Sequence, residues 1–424
     1  MKQDSSITAG GGRTQTERPD APDRRRFLTR AGQAGAAWML GGLLGAGASA
    51  GSAGIARAQT EEEPVYPGKE KLLNRGSRPL NLETPVPLLD QEITPNSLMF
   101  VRNHGTLPDV DAAAWKLTVD GEVERPLSLT LAQLQKDYPV VTEAALIECG
   151  GNGRALFDPK VPGNQWERGA VSCGRWSGVR LRDVLRAAGL KPGAVYAAGY
   201  GADDSLNPQN VPAFSRGIPI EKALEEHTLI AFKLNGEDIP KPNGYPVRLV
   251  VPGWGGSASQ KWLTRIWVRN QVHDGHWMGP KPYRNPAFPV APGAQVAPED
   301  MVIVTTWPVK SLITAPAQGT HIRAGQALEI RGSAWAGERA VKRVELSFDL
   351  GRTWTPVAEL KPRAGKYAWS RWAHSWTPGG RGYQEIWARA TDEAGATQPL
   401  AQSWNPGGYM GNVVHRLAVQ VDPA

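Results

Sequence analysis

A lone cysteine enters a glycine-rich stretch at Glu148-Cys149-Gly150-Gly151-Asn152-Gly153-Arg154, directly after a strand-like run over 144–148. Glycines let the backbone approach a ligand closely and leave the thiol accessible. A nearby arginine favours thiolate, the form of cysteine that binds metals. On this loop alone two other readings stand beside metal ligation. Cys149 could be buried in a tight turn, or it could pair with Cys173, the second of the two cysteines in the chain; an oxidising compartment would permit that disulfide. No Cys-x-x-Cys-His run occurs, so no c-type haem is expected on this chain, and no Cys/His cluster has zinc-site spacing.

Other segments add cationic and amide side chains. Phe100-Val101-Arg102-Asn103-His104 sets three polar residues in succession after an apolar run. Trp166-Glu167-Arg168-Gly169 leads towards Arg175-Trp176-Ser177-Gly178. Asn243-Gly244-Tyr245-Pro246-Val247-Arg248 is followed by Ser259-Gln260-Lys261-Trp262. Further on stand Tyr383-Gln384-Glu385-Ile386-Trp387, then Trp404-Asn405 and His415-Arg416. In order and spacing these segments resemble the sulfite oxidase family of molybdopterin oxidoreductases, and within it the bacterial sulfite dehydrogenases. The resemblance runs from about residue 95 to 421.

The resemblance implies one molybdenum-molybdopterin per chain, with Cys149 as the protein ligand to the metal; that role excludes the disulfide with Cys173. A thiolate suits a metal that also carries soft pterin sulfurs. It implies a cofactor pocket walled by Phe100, Val101, Arg102, Asn103 and His104 on one side. Asp203, Asn243, Arg248, Ser259, Gln260 and Lys261 would form the other, with Arg248 and Lys261 suited to phosphate. Arg102 and Arg154 would bind a substrate anion, Trp166 would wall it, and the Tyr283 phenol would donate a hydrogen bond near the reacting oxygen. Two departures stand out: Asn243 occupies a position where many relatives have His, and glycines follow Trp404-Asn405-Pro406 where eukaryotic relatives have an arginine. The anion pocket is therefore expected to be less positive. The implied reaction is two-electron oxidation of sulfite to sulfate, with electrons leaving to an external c-type cytochrome. Alternatives are the sulfane dehydrogenase subunit of a thiosulfate-oxidising system, a methionine sulfoxide reductase, whose relatives lack the C-terminal sandwich, and an exported, non-catalytic β-sandwich interaction protein.

The elements that must position these residues read as α+β: a mixed α/β molybdopterin domain, then an all-β immunoglobulin-like sandwich. Strands are predicted at 115–123, 144–148, 229–234 and 247–251, with helices at 129–134, opening after Ser128, at 181–188, ending at Gly189, and at 219–224. Prolines at 280, 282, 286, 289, 292 and 298 mark a linker. Beyond it, short strands are predicted at 327–331, 343–348, 383–390 and 413–421. The expected domains are a signal peptide at 1–58, an extended arm without periodicity at 59–95, a catalytic domain with its linker at 96–300, and a dimerisation domain at 301–424. A homodimer is implied by the resemblance.

The signal assignment rests on Arg24-Arg25-Arg26-Phe27-Leu28 ahead of a Gly/Ala-rich apolar stretch and Ala56-Arg57-Ala58. Paired arginines of this kind point to twin-arginine export of the folded protein to the periplasm. Eight glycines between 32 and 54 make the stretch a poor bilayer span, so stable membrane insertion is not expected. Residues 1–58 carry +4 of the formal +7, leaving about +3 on the remainder. The basic balance thus belongs mainly to the signal and argues for no nucleic-acid partner.

Overall fold

A computed structural model describes residues 66–424, except 208, 210 and 211. The signal expected at 1–58 and the first residues of the arm lie outside the described residues. The described residues form one unit. It is built mostly of strands; the α-helices described are Leu131–Asp137, Leu181–Ala188 and Ile220–Leu224.

The helix Leu181–Ala188 follows its sequence pattern closely. Leu181, Val184, Leu185 and Ala188 share one buried stripe, and the chain leaves at Gly189, whose φ of 71° favours glycine. The helix expected at 129–134 opens two residues later. Leu129 belongs to the strand Leu127–Thr130, and Thr130 caps the helix reciprocally with Gln133 at 3.2 and 2.9 Å. That capping box, not the apolar spacing, fixes the start. Part of the segment read as an extended arm is built of strands. Leu73–Ser77 and Leu80–Glu83 form a hairpin to which Val101–Arg102 adds a third strand, pairing Asn81 with Arg102.

Two five-stranded sheets follow. In one, Val140–Glu148 pairs antiparallel with Val171–Arg180 over its whole length; Leu229–Leu234 then links that pair to Glu237–Asp238 and Arg248–Val250. In the other, Lys116–Gly121 runs parallel to Leu263–Arg269, beside Tyr196–Gly201 and Ser215–Pro219. Leu117, Val119, Leu181, Ile230, Leu249 and Ile266 form their common core.

After the short pair Arg284–Pro286 and Met301–Ile303, two sheets of four and five strands face each other across Ile313, Ile330, Val344, Trp372, Ile386 and Leu417. This is a β-sandwich. A separate apolar cluster joins it to the first part, with Leu146, Val171 and Cys173 packed on Leu312, Trp335 and Trp369. Among the described residues no helix is long and apolar enough to cross a membrane.

Candidate active site

Three chain segments end at one cleft, which encloses about 710 Å³ of non-protein space, its open mouth included. The strand Val140–Glu148 delivers Cys149 at its end, where the Cys149 N–H donates to Ala170 O at 2.9 Å. The thiol is free and almost buried. Cys173 is also free, so the disulfide alternative falls. It sits one strand away opposite Leu146, fully buried, where burial pushes its thiol up to about 12.

The edge strand Val101–Arg102 supplies the second wall. Asn81 Oδ1 accepts from the Asn103 N–H at 3.2 Å and fixes the turn that carries Arg102, Asn103 and His104 into the cleft. Gly105 must follow, because a Cβ there would meet Asp204 O at 2.1 Å. The third wall comes from Asn243 and the run Ser259-Gln260-Lys261-Trp262, knitted by Arg248. Its guanidinium donates to Asn243 O at 2.6 Å and Ser259 O at 3.0 Å. Asn243 Nδ2 in turn donates to Phe100 O at 2.9 Å.

Tyr283 closes the cleft, its hydroxyl 2.7 Å from His104 Nε2. His104 stacks on Phe214 with centroids 4.2 Å apart and packs against Trp277. Burial holds the His104 imidazole well below its usual range, with Arg102 and Lys261 adding to the effect. Burial also pushes the Tyr283 phenol up. The pair is thus neutral near pH 7, a phenol hydrogen-bonded to an uncharged imidazole.

All the expected site residues line this cleft except Val101, Arg154 and Trp166. Val101 points into a small core with Leu72, Leu82 and Leu98, because strand alternation turns it away from Arg102. Trp166 is fully buried in the cluster with Phe100 and Cys149, behind the lining. Arg154 donates to Gly407 O at 3.2 and 3.0 Å and to Asn164 O at 3.2 Å, and lies over the Tyr409 ring. Its donors are taken up by backbone rather than directed at the cleft. Met99, Ile147, Phe214 and Trp262 line the cleft without having been expected. Phe214 stands just before the strand Ser215–Pro219 in a run with no motif, and only the stacking of its ring on His104 reveals it.

Five buried polar atoms of the lining have no partner: Asn103 Nδ2, Asp203 Oδ1, Asn243 Oδ1, Arg248 Nε and Gln260 Oε1. Each orphan of this kind costs on the order of 1–3 kcal/mol. Donors and acceptors left open together fit a ligand that carries both, as a pterin edge does. Arg248 and Lys261 bring two basic groups to the lining, with Asp203 as the acid facing Lys261. Burial lowers Arg248 to about 9, and burial with Arg248 takes Lys261 well below its usual range. Burial raises Asp203 to about 6 against the pull of Lys261, so near pH 7 this carboxyl is still largely ionised and offsets part of the charge. A phosphate beside these groups would reverse both cation shifts. Among the described residues no group of three or more His, Cys, Asp or Glu side chains could hold a metal ion by itself. A metal held through Cys149 therefore needs its remaining ligands from a bound group. The residues present fit molybdopterin.

Residues 104–277 match the model of the oxidoreductase molybdopterin binding domain, and residues 301–422 that of the Mo-co oxidoreductase dimerisation domain. The architecture and the cleft thus define a molybdopterin-binding oxidoreductase fold with its dimerisation module. Mitochondrial sulfite oxidase of Rattus norvegicus is 35% identical over 373 residues, covering 82% of this chain and 65% of that protein. Sulfite oxidase of Gallus gallus is 34% identical over 371 residues, covering 84% of this chain and 78% of that protein. The chain belongs to the sulfite oxidase family. It spans just under two thirds of the rat relative's length, at 65%. Among solved structures, the sulfane dehydrogenase SoxCD of Paracoccus pantotrophus superposes with a TM-score of 0.70 at 26% identity, covering 88% of this chain and 95% of that one.

Proposed function

We propose that the chain oxidises sulfite to sulfate in this cleft and passes the electrons to an external c-type cytochrome. The observation that carries the reading is the meeting of the Cys149 thiol, the Arg102 guanidinium and the His104–Tyr283 pair in one lining. Bound through Cys149, molybdopterin would supply the two-electron redox centre and the transferable oxygen. Arg248, Lys261, Asn243, Gln260 and Asp203 would hold and orient the pterin and its phosphate. Arg102 would attract the dianion and set its sulfur towards the metal side of the cleft. The Tyr283 phenol would donate its hydrogen bond to the developing sulfate oxygen, while neutral His104 would hold the phenol oxygen from Nε2. Phe214, Trp277 and Met99 would exclude water around these groups. Arg154 and Trp166 would act from behind, through the shape of the Cys149 loop.

One observation favours a second reading, sulfane dehydrogenation. With Arg154 turned to backbone carbonyls and glycine at 407, the substrate end keeps fewer cations than a dianion calls for, and the SoxCD likeness covers most of both chains. A substrate panel with cytochrome c as acceptor separates them. Sulfite turnover well above that of protein-bound sulfane supports the first reading, and the reverse ranking supports the second. Metal and pterin analysis of the same preparation tests both together; a protein without either would leave only a binding module. The same reading makes the sandwich an immunoglobulin-like dimerisation module, tested by the mass in solution. It also takes 1–58 as a twin-arginine signal for export to the periplasm. Replacing Arg24 and Arg25 by Lys should leave unprocessed enzyme in the cytoplasm, and normal processing would refute that route.

A further inference from the structure

Tyr283 is held by more than the cleft it lines. Its backbone takes a φ of 53°, in the left-handed region that bulky residues avoid. The Arg216 guanidinium lies over its ring, 4.8 Å from the centroid. The Tyr409 ring stacks on it, with centroids 5.2 Å apart and planes at 23°. Arg154 then lies over Tyr409 at 5.2 Å. The result is a chain of cation, ring, ring and cation. Arg216 donates to Trp277 O at 2.9 Å and Arg154 to the carbonyls of Gly407 and Asn164, so both guanidinia are anchored on backbone.

Tyr409 belongs to the sandwich, in the loop between the strands Gly382–Asp392 and His415–Asp422. Asn405 brackets it, accepting from the Tyr409 N–H at 3.0 Å and donating to its carbonyl at 2.9 Å. The next residue, Met410, also has a left-handed φ, of 57°, and its N–H donates to Gly150 O at 2.9 Å, one residue from Cys149. Gly408 leaves the space: a Cβ there would meet Arg154 Cγ at 2.9 Å and Val161 Cγ2 at 2.4 Å. The loop is therefore shaped to set one ring between Tyr283 and Arg154.

We infer that Tyr409 is a positioning residue of the active site, contributed by the sandwich, which keeps the Tyr283 phenol on His104 and the Arg154 guanidinium on its backbone carbonyls. The inference rests on the proposed role of Tyr283 at the reacting atoms. Docking of the C-terminal module then completes the site by means of a side chain, not only by covering it.

A double-mutant cycle on the holoenzyme tests this. Tyr409→Phe keeps the stack and should hold kcat within about twofold, whereas Tyr409→Leu should lower kcat about tenfold, the scale of a lost ring pair and cation–π contact. In a Tyr283→Phe background the Leu substitution should cost less than about twofold, because its effect runs through Tyr283. A second reading needs no turnover. In native Tyr409→Leu one more phenol should ionise at a given alkaline pH in the difference spectrum than in native Tyr409→Phe, which has the same number of tyrosines but keeps the stack. Equal losses in Tyr409→Phe and Tyr409→Leu, additive losses in the cycle, or unchanged kcat in Tyr409→Leu with pterin content intact would each overturn the inference. Should Tyr409→Leu fail to fold, Tyr409→Met is read in the same way. Normal turnover of Tyr283→Phe alone would refute the proposed role of Tyr283, while the alkaline spectrum would still report on the stack.

Discussion

Lys310→Met should destabilise this protein strongly, and the loss should grow with pH. Glu148, the residue before Cys149, is fully buried, and its carboxylate accepts from Lys310 Nζ at 2.5 Å, Trp335 Nε1 at 2.7 Å and Asn152 Nδ2 at 2.9 Å. Two of these donors come from the sandwich, so one carboxylate ties the Cys149 loop to the C-terminal module. Burial pushes the Glu148 carboxyl up and the Lys310 ammonium down, each opposed by the other. Removing one partner of such a pair leaves a buried charge uncompensated, at a cost of about 3–5 kcal/mol. With about 360 described residues and about 2.1 cal/mol/K of unfolding entropy per residue, that corresponds to a Tm lowered by roughly 4–7 °C. Without Lys310, the folded-state pKa of Glu148 rises further above its ordinary value of 4.5. A carboxyl raised in the fold favours folding while protonated, below its unfolded value, and loses that contribution as pH climbs through its folded value. The deficit of Lys310→Met should therefore be small near pH 5 and full at pH 8. Adding Glu148→Gln removes the orphaned charge and should recover most of the loss. Thermal or urea unfolding of the three variants at the two pH values decides. A cost under about 1 kcal/mol at pH 8, or no recovery in the double variant, would show that the pair does not clamp the modules.

Cys149→Ser should retain pterin but lose molybdenum ligation and most turnover, while Cys173→Ser, altering a fully buried thiol outside the cleft, should leave turnover near normal; metal content and kinetics on both variants check this. Arg102→Gln should raise KM for sulfite by roughly tenfold to a hundredfold, the scale of one charge-assisted hydrogen bond. Arg154→Gln should raise it less, since that guanidinium is engaged by Gly407 and Asn164; the opposite ranking would return Arg154 to the substrate. Lys69 donates to Asn96 O and Met99 O, and burial lowers its ammonium to about 7. A depressed lysine carries a penalty that is full below pH 7 and fades towards its ordinary value of 10.5. Wild-type stability should accordingly rise between pH 7 and 10 more than that of Lys69→Met; parallel curves would refute the shift.

The sequence by itself determined what local rules and motifs can carry. The stripe Leu181, Val184, Leu185 and Ala188 before Gly189 fixes a helix within its own residues. Cys149 among its glycines, Arg102-Asn103-His104 and Ser259-Gln260-Lys261 were legible as one site only through the resemblance of their joint order and spacing to the family; taken singly, each run left other readings open. Only the tertiary structure decided what depends on elements distant in the chain. Residues 73–83, without periodicity, became a hairpin because Val101–Arg102 offered them a partner strand. Arg154 was named for the substrate on its position in a motif, but the direction of its side chain is set by a carbonyl 253 residues away. Phe214, Trp277 and Tyr409 carry no motif; packing on His104 and Tyr283 gives each its place. A stacking contact between residues from two modules is invisible to any pattern read along one strand or helix, because its energy exists only once both modules have folded and docked.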